Sequence, residues 1–214
     1  MKIKILALTA AIAASAPAFA DTVNLGGFTF DPAQPVSVSM PSYSGKAGQF
    51  TGLLNGNSFV TYCTDLLQTF KFGVTYTDYS IVSGATAWGA ATSLAMDKLM
   101  SAAINDGVPI NAAQSAAVQA AVWEVLYETA PVYDLTAGTF VATSSDPATD
   151  ALLGAVNWAG IMAGPVTHHV DQLYSRDHQD FLVITQVPEP STYALLAAGL
   201  AGIGFVVRRR SRRA

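Results

Sequence analysis

The chain has 214 residues, of which 51% are hydrophobic and only 12% are charged. Its formal net charge of −4 hides an uneven distribution, because seven of its eleven basic residues lie near the two ends. Residues 21–187 hold four basic and fourteen acidic residues, a net charge of −10. Such an acidic surface argues against nucleic acid and anionic lipid as partners, and the length of this region suits one domain with its own core.

The first 20 residues predict a signal peptide. Lys2 and Lys4 precede an uncharged apolar run over residues 5–14, and Ala18-Phe19-Ala20 forms an A-x-A cleavage site. We therefore expect export, with a mature protein that begins at Asp21.

Residues 21–83 predict a series of short strands. Runs rich in Val, Phe, Tyr and Thr alternate with turn residues. The predicted strands are Val23–Phe30, Val36–Met40, Gln49–Leu54, Ser58–Thr64, Thr69–Val74 and Tyr79–Val82. Asn55-Gly56 between two of these runs is a hairpin signal, and repeated short strands are typical of a sandwich or a barrel.

A helical period replaces the alternation after residue 84. The predicted helices are Ala85–Asn105, Asn111–Glu128 and Pro147–Met162, and the later predicted strands are Tyr133–Thr143 and Phe181–Gln186. Asn111 with Gln114 makes a capping-box pattern, and Asp146-Pro147 is a cap followed by proline at the first helical position. We predict an α+β domain over residues 21–187, with sandwich- or barrel-like strands, a helical insertion, and a C-terminal transmembrane helix after it.

The tail, residues 188–214, combines three parts in a fixed order. Pro188-Glu189-Pro190 comes first, residues 191–207 form an uncharged segment of 17 residues, and five arginines follow. Such a segment is at the lower end of what spans a bilayer as a helix, about 17–25 residues. The arginines favour the cytoplasmic side, which places the domain outside the inner membrane.

This arrangement resembles the PEP-CTERM sorting signal of Gram-negative bacteria. The resemblance implies recognition by an exosortase, a membrane enzyme that cuts near the Pro-Glu-Pro and transfers the protein to the envelope. We expect a protein anchored in the inner membrane before processing and found in the cell envelope or outside the cell afterwards. Taken by itself, an apolar segment with a basic end also fits a plain C-terminal anchor.

Cys63 and Gln119 are candidate partners in an intramolecular thioester. Tyr62-Cys63-Thr64-Asp65 ends a predicted strand, and Gln119-Ala120-Ala121-Val122-Trp123 lies on a predicted helix with Gln119 and Trp123 on one face. A cysteine sulfur that attacks a glutamine carboxamide expels ammonia and leaves a thioester, if the site is rigid and dry. Cys63 is the one cysteine of the chain, so it cannot form a disulfide within the chain.

These motifs resemble those of the thioester domains of bacterial surface adhesins, which pair a Tyr-Cys-x-Asp-like strand motif with a Gln-x-Ala-aliphatic-Trp helix motif. The resemblance implies Cys63 and Gln119 as the bond partners and an adhesin role on the cell surface. Tyr62, Asp65 and Trp123 would be supporting residues. A thioester would capture one nucleophile, an amine or hydroxyl on a partner surface or matrix polysaccharide, so we expect no turnover enzyme. The best-known members carry a different wall anchor, so this tail departs from the family.

Two alternatives stay open. Cysteine is among the most buried residue types, so Cys63 also fits an inert core residue in a non-covalent structural protein of the exopolysaccharide or biofilm matrix. The second alternative is a metal-dependent binding module, because His168, His169 and His178 lie among carboxylates, but their spacing matches no zinc or EF-hand pattern. We therefore interpret that stretch as a solvated polar loop, and Glu124 with Glu128 as a solvated helical stripe. We predict no metal or cofactor, because P-loop, G-x-G-x-x-G and G-x-S-x-G motifs are missing from the sequence.

Overall fold

A computed structural model describes residues 20–129 and 132–188, together with positions 195, 196, 198–201 and 203. The strands are Asp21–Phe28 (β1), Gln34–Val38 (β2), Tyr43–Ala47 (β3), Phe50–Leu54 (β4), Asn57–Thr61 (β5), Thr75–Val82 (β6), Ala142–Thr143 (β7), His168–Tyr174 (β8) and Phe181–Gln186 (β9). The helices of the domain are Gly84–Trp88 (α1), Ala90–Asn105 (α2), Ala112–Tyr127 (α3), Pro147–Leu153 (α4) and Trp158–Ala163 (α5). The predicted signal peptide lies outside the described residues, apart from Ala20.

Six strands form an antiparallel sheet in the order β5-β4-β1-β6-β8-β9. The sheet curls until its two edges meet. Just beyond β5, Cys63 forms an isolated antiparallel bridge with Phe181, and the N–H of Leu182 donates to the carbonyl of Tyr62 at 3.0 Å. The result is a nearly closed, barrel-like sheet in which these bonds satisfy part of both edge strands.

A second sheet of three strands, in the order β3-β2-β7, contacts α3, which also packs against α2 and α4. Residues 115–125 of α3 are all buried, which is the behaviour of a helix enclosed on every side. Its alanines let these neighbours approach closely. Asn111 caps the helix as predicted, because its side chain accepts from the N–H of Gln114 at 2.9 Å.

Helix α2 is fixed to the start of β8 by two polar side chains. The Ser101 hydroxyl accepts from the N–H groups of Thr167 and His168, each at 2.9 Å. Asp97 accepts from the N–H of Val170 at 2.8 Å. These bonds satisfy backbone donors at a point where helix and sheet meet.

The structure confirms a mixed α+β fold with a barrel-like sheet and corrects several predicted elements. The helix predicted over residues 85–105 is divided at Gly89, which has φ 85°, and the helix predicted over residues 147–162 is divided between α4 and α5. Strand β3 was not predicted. The predicted strand Thr69–Val74 is a loop with Gly73 at φ 74°, and only β7 forms within Tyr133–Thr143.

The predicted polar loop at the histidines is also wrong in its first half. His168–Tyr174 is strand β8, which pairs with β6 on one side and β9 on the other. Val170 and Leu173 are both buried, at 1% and 0% exposure, and since they are three residues apart in a regular strand they face opposite sides of the sheet. The polar residues of β8 therefore lie on both faces of the sheet.

The predicted transmembrane segment, residues 191–207, lies for the most part outside the described residues. Its seven described positions are helical and exposed. Within the part of the chain that the structure describes, helices fall short of the length and apolarity needed to cross a membrane.

Candidate functional site

Cys63 lies where the sheet closes. Successive residues of an extended chain point to opposite sides, and here Tyr62 and Cys63 line two different cavities. Tyr62 is fully buried, and its hydroxyl accepts a long hydrogen bond, 3.5 Å, from the side chain of Gln49. Of this pair, only Cys63 reaches the cavity that also contains Gln119 and Trp123.

Gln119 and Cys63 are joined by two reciprocal hydrogen bonds. The N–H of Cys63 donates to Oε1 of Gln119 at 3.0 Å, and Nε2 of Gln119 donates to the carbonyl of Cys63 at 2.7 Å. Gln119 is 0% exposed and Cys63 is 2% exposed. The Gln119 carboxamide thus takes the place of a neighbouring strand, because it hydrogen-bonds both backbone groups of Cys63 at the point where the sheet closes.

Other side chains on the face of α3 that carries Gln119 lie along the backbone segment that begins at Cys63. One turn further, Trp123 lines the Cys63 cavity. Two turns further, the Tyr127 hydroxyl donates to the carbonyl of Thr64 at 3.2 Å and accepts from the N–H of Leu66 at 3.3 Å. The spacing of four residues places all three side chains on one face, and that face holds the Cys63–Leu66 segment in place.

The sulfur of Cys63 is surrounded by polar groups. It donates to the carbonyl of Asp65 at 3.0 Å, and Nε2 of Gln179 donates to the sulfur and to the same carbonyl at 2.8 Å. Trp123 lines the same cavity as the sulfur, and its indole N–H donor lowers the thiol pKa. That N–H is buried and reaches full hydrogen-bond geometry with none of the described residues.

Burial dominates the electrostatics of the thiol. It raises the pKa of Cys63 to about 12; the Trp123 and Gln179 donors oppose this rise, whereas the charge of Asp65 adds to it. Cys63 is therefore a neutral thiol at neutral pH, and a thiolate forms there only with help from nearby donors.

The cavity over Cys63 has a volume of about 340 Å³. Much of its wall is aromatic, and Phe50, Phe70 and Phe72 contact one another edge to face or tilted, with centroids 5.0–5.8 Å apart. Lys46 and Asp65 also line it. One carboxylate oxygen of Asp65 already has a backbone partner, since Oδ1 accepts from the N–H of Leu67 at 2.6 Å. The cavity is therefore a mainly apolar space whose wall also carries several polar side chains, and it is large enough for one small side chain or ligand group.

The structure thus brings Cys63, Gln119, Asp65 and Trp123 to one cavity and places the Tyr62 side chain in another. Sequence reasoning missed Gln179. It lies between β8 and β9, in a stretch of polar residues, and it reaches Cys63 only because the bridge to Phe181 brings that loop beside the sulfur. No local pattern marks such a contact.

The prediction that Glu124 lies on a solvated stripe of α3 is wrong, because Glu124 is 0% exposed. Its Oε1 accepts from the N–H of Asp134 at 2.7 Å. Burial, more than the charges of Glu128 and Asp134, raises the pKa of Glu124 to about 7, and the bond from Asp134 opposes that rise.

The histidines do not share one site. Nδ1 of His169 lies 3.0 Å from Oδ2 of Asp97, whereas the ring of His178 packs on Tyr76 with a centroid distance of 4.3 Å. The described residues contain no cluster of three or more His, Cys, Asp or Glu side chains suited to a metal ion.

The tail begins directly at the end of the folded sheet. The N–H of Val187 donates to the carbonyl of Thr167 at 2.8 Å, so backbone pairing continues to one residue before Pro188. Glu189 and Pro190 lie outside the described residues. A comparison with known families matches this part of the chain, residues 186–210, to the PEP-CTERM protein-sorting motif.

Residues 186–210 carry a PEP-CTERM sorting motif. The PEP-CTERM motif implies an exported surface protein that an exosortase processes and that is anchored in the membrane beforehand. The matched residues lie in the tail and at the very end of the folded domain. Neither a curated protein nor a solved structure matches the chain.

Proposed function

We propose that residues 21–187 form a surface attachment domain in which Cys63 and Gln119 make an intramolecular thioester that captures one nucleophile. The observation that supports this proposal best is the reciprocal pair of hydrogen bonds between Gln119 and the backbone of Cys63. It fixes the reacting carboxamide beside the residue that bears the only thiol of the chain.

Bond formation needs no outside reagent. The sulfur bonds to Cδ of Gln119, the bond from Cδ to Nε2 breaks, and ammonia leaves with the thiol proton. The N–H of Cys63 already donates to Oε1 of Gln119 at 3.0 Å, so it supports the charge that develops on this oxygen during attack. Holding the carboxamide against the backbone of the reacting cysteine lowers the entropic barrier to their reaction, which offsets the low thiolate fraction of a buried cysteine.

The surroundings of Cys63 and Gln119 suit a thioester that is kept from water until it captures a nucleophile. Gln119, Cys63 and Trp123 are each at most 2% exposed, so bulk water has little access to a thioester between them. The adjoining cavity of about 340 Å³ gives a nucleophile a route to the bond. Export and processing through the PEP-CTERM motif would display the domain where surface or matrix nucleophiles are found, and we expect one capture per molecule without turnover.

A second candidate is a non-covalent structural protein of the extracellular matrix. The same two hydrogen bonds favour it, because they satisfy buried backbone groups of Cys63 without any covalent bond. The raised pKa of the thiol also suits an inert residue. In this case Gln119 is a structural side chain that completes the edge of the sheet.

The intact mass of the mature domain separates the two candidates. A thioester lowers the mass by one ammonia, and Cys63→Ala and Gln119→Ala each restore the full mass expected for their sequence. Gln114→Ala, which removes another glutamine of α3, is the matched control and keeps the deficit. A full mass for the wild-type domain, with no gain of mass in methylamine, would reject the thioester in favour of the structural protein.

A further inference from the structure

Two side-chain N–H groups meet at the Cys63 sulfur from parts of the chain distant in sequence. Gln179, between β8 and β9, donates to the sulfur through Nε2. Trp123, on α3, lines the same cavity as Cys63, its buried indole N–H has no partner among the described residues, and the indole lowers the pKa of the thiol. The pairing of Gln119 with the Cys63 backbone uses neither group.

We propose that Gln179 and Trp123 form a donor pair that stabilises the negative charge on the Cys63 sulfur when the thioester is opened. The donor pair rests on the proposed function, because it acts on the bond between Cys63 and Gln119. It assigns a chemical role to Gln179. It also gives Trp123 a role as a hydrogen-bond donor, in addition to its part in excluding water from the thioester.

The opening step shows why donors are needed. The nitrogen or oxygen of the nucleophile bonds to Cδ of Gln119, the bond from Cδ to sulfur breaks, and its electron pair stays on sulfur. The proton lost by the nucleophile then returns the sulfur to a thiol. A thiolate leaves faster when its conjugate thiol is more acidic, yet burial here makes the thiol a weak acid. N–H donors at the sulfur counter that effect.

The Trp123 indole is the observation that points to a charged state. Trp123 is 2% exposed, and its N–H has no partner of normal geometry among the described residues. A buried donor without an acceptor is unfavourable in the resting protein. It becomes favourable when a full negative charge appears beside it, since hydrogen bonds to charged groups are roughly twice as strong as neutral ones. Preorganised donors of this kind act where charge develops during a reaction.

The test uses three single variants of the mature domain. Gln179→Met and Trp123→Phe remove one N–H donor each and keep most of the side-chain volume. Gln68→Met is the matched control, because Gln68 lines the same cavity but donates to the carbonyl of Arg176 at 3.3 Å. Methylamine incorporation is followed by intact mass, and its rate is calculated only for molecules that begin with the ammonia deficit.

We expect Gln179→Met and Trp123→Phe each to slow methylamine incorporation by about 10-fold, the size that loss of one hydrogen bond to a charged group implies. Gln68→Met should react at the wild-type rate. A second readout uses the free thiol: in a Gln119→Met background, each donor variant should move the pH profile of thiol alkylation to higher pH. A side chain with only a packing role would not shift that profile.

The outcomes separate this inference from the proposed function. A wild-type domain of full mass overturns both. An ammonia deficit in the wild type, with donor variants that open as fast as Gln68→Met and with unshifted alkylation profiles, overturns the donor pair alone. The two variants lie on different elements, so either one that folds decides the question by its opening rate and its profile.

Discussion

Cys63 pairs with two distant residues at once. On one side it bridges Phe181 of β9, and on the other its backbone exchanges hydrogen bonds of 3.0 and 2.7 Å with the side chain of Gln119. The exchange with Gln119 resembles the paired bonds of antiparallel strands. The closure of the sheet and the position of α3 therefore depend on the same residue.

This geometry predicts unequal effects of Cys63→Ala and Gln119→Ala on stability. Loss of a covalent link that closes a long loop costs roughly 4 kcal/mol by the chain-entropy model. Gln119→Ala should cost more than Cys63→Ala, because it also removes Oε1, the acceptor of the buried N–H of Cys63, at roughly 1–3 kcal/mol. Chemical denaturation of both variants and the double variant measures these values.

The double variant should be no less stable than Gln119→Ala alone, since both substitutions remove one shared bond. Additive effects of the two substitutions would show that no shared covalent bond exists. Gln114→Ala again serves as a control for the loss of an α3 glutamine.

Local signals in the sequence predict part of this arrangement. The Asn111 cap, the Asn55-Gly56 turn and the last strand depend on neighbouring residues, and each forms as predicted. Strand β8 was missed because its buried residues, Val170 and Leu173, are three apart and do not follow the alternation of a half-buried strand, and its identity as a strand depends on β6 and β9.

The parts of the site that escaped prediction depend on tertiary contacts. Gln179 reaches Cys63 only when the sheet closes. Glu124 is buried because residues 134–140 fold over α3, where the N–H of Asp134 meets its carboxylate and the N–H groups of Thr139 and Phe140 meet Glu128. A helical pattern predicts on which face of a helix a residue lies, but it does not predict which loop packs over that face.

The bond from Asp97 to Val170 predicts a structural role for this carboxylate. Asp97→Ala should destabilise the domain by about 2 kcal/mol, because the N–H of Val170, a residue only 1% exposed, loses its acceptor. Asp97→Asn keeps an oxygen acceptor and should retain most of the stability. His169→Ala should cost below about 1 kcal/mol, since the His169 side chain is 62% exposed. Thermal melting of the three variants checks this order, and an equal loss in His169→Ala and Asp97→Ala would contradict it.

Glu124 predicts that stability falls as the pH rises toward neutrality. Its pKa is raised from 4.5 to about 7 in the folded domain, so between these values the folded state binds more protons than the unfolded state. By linkage, the stabilising contribution of protonated Glu124 is fully present below about pH 4.5 and is lost as the pH rises to about 7. Asp180, raised from 3.8 to about 6, acts in the same direction.

Glu124→Gln should therefore flatten the stability profile between about pH 4.5 and 7, measured as denaturation midpoints across this range. Asp106→Asn, which removes an exposed carboxylate, is the matched control and should keep the wild-type slope. If Glu124→Gln retained the same slope, Glu124 would not be the group that titrates.

The junction between β9 and the PEP-CTERM motif predicts that the folded domain limits processing. Backbone pairing reaches Val187, so an enzyme that reads Pro188-Glu189-Pro190 must fit against the end of the sheet or wait for β9 to fray. Four Gly and Ser residues inserted between Val187 and Pro188 should raise the rate of processing, followed by immunoblotting of membrane and extracellular fractions. Alanine at Glu189 and Pro190 should leave the protein unprocessed in the inner membrane, with or without the insertion, because the motif itself is lost. Equal rates with and without the insertion would show that the enzyme is indifferent to the folded sheet, and processing of the alanine variant would show that these two residues are not read.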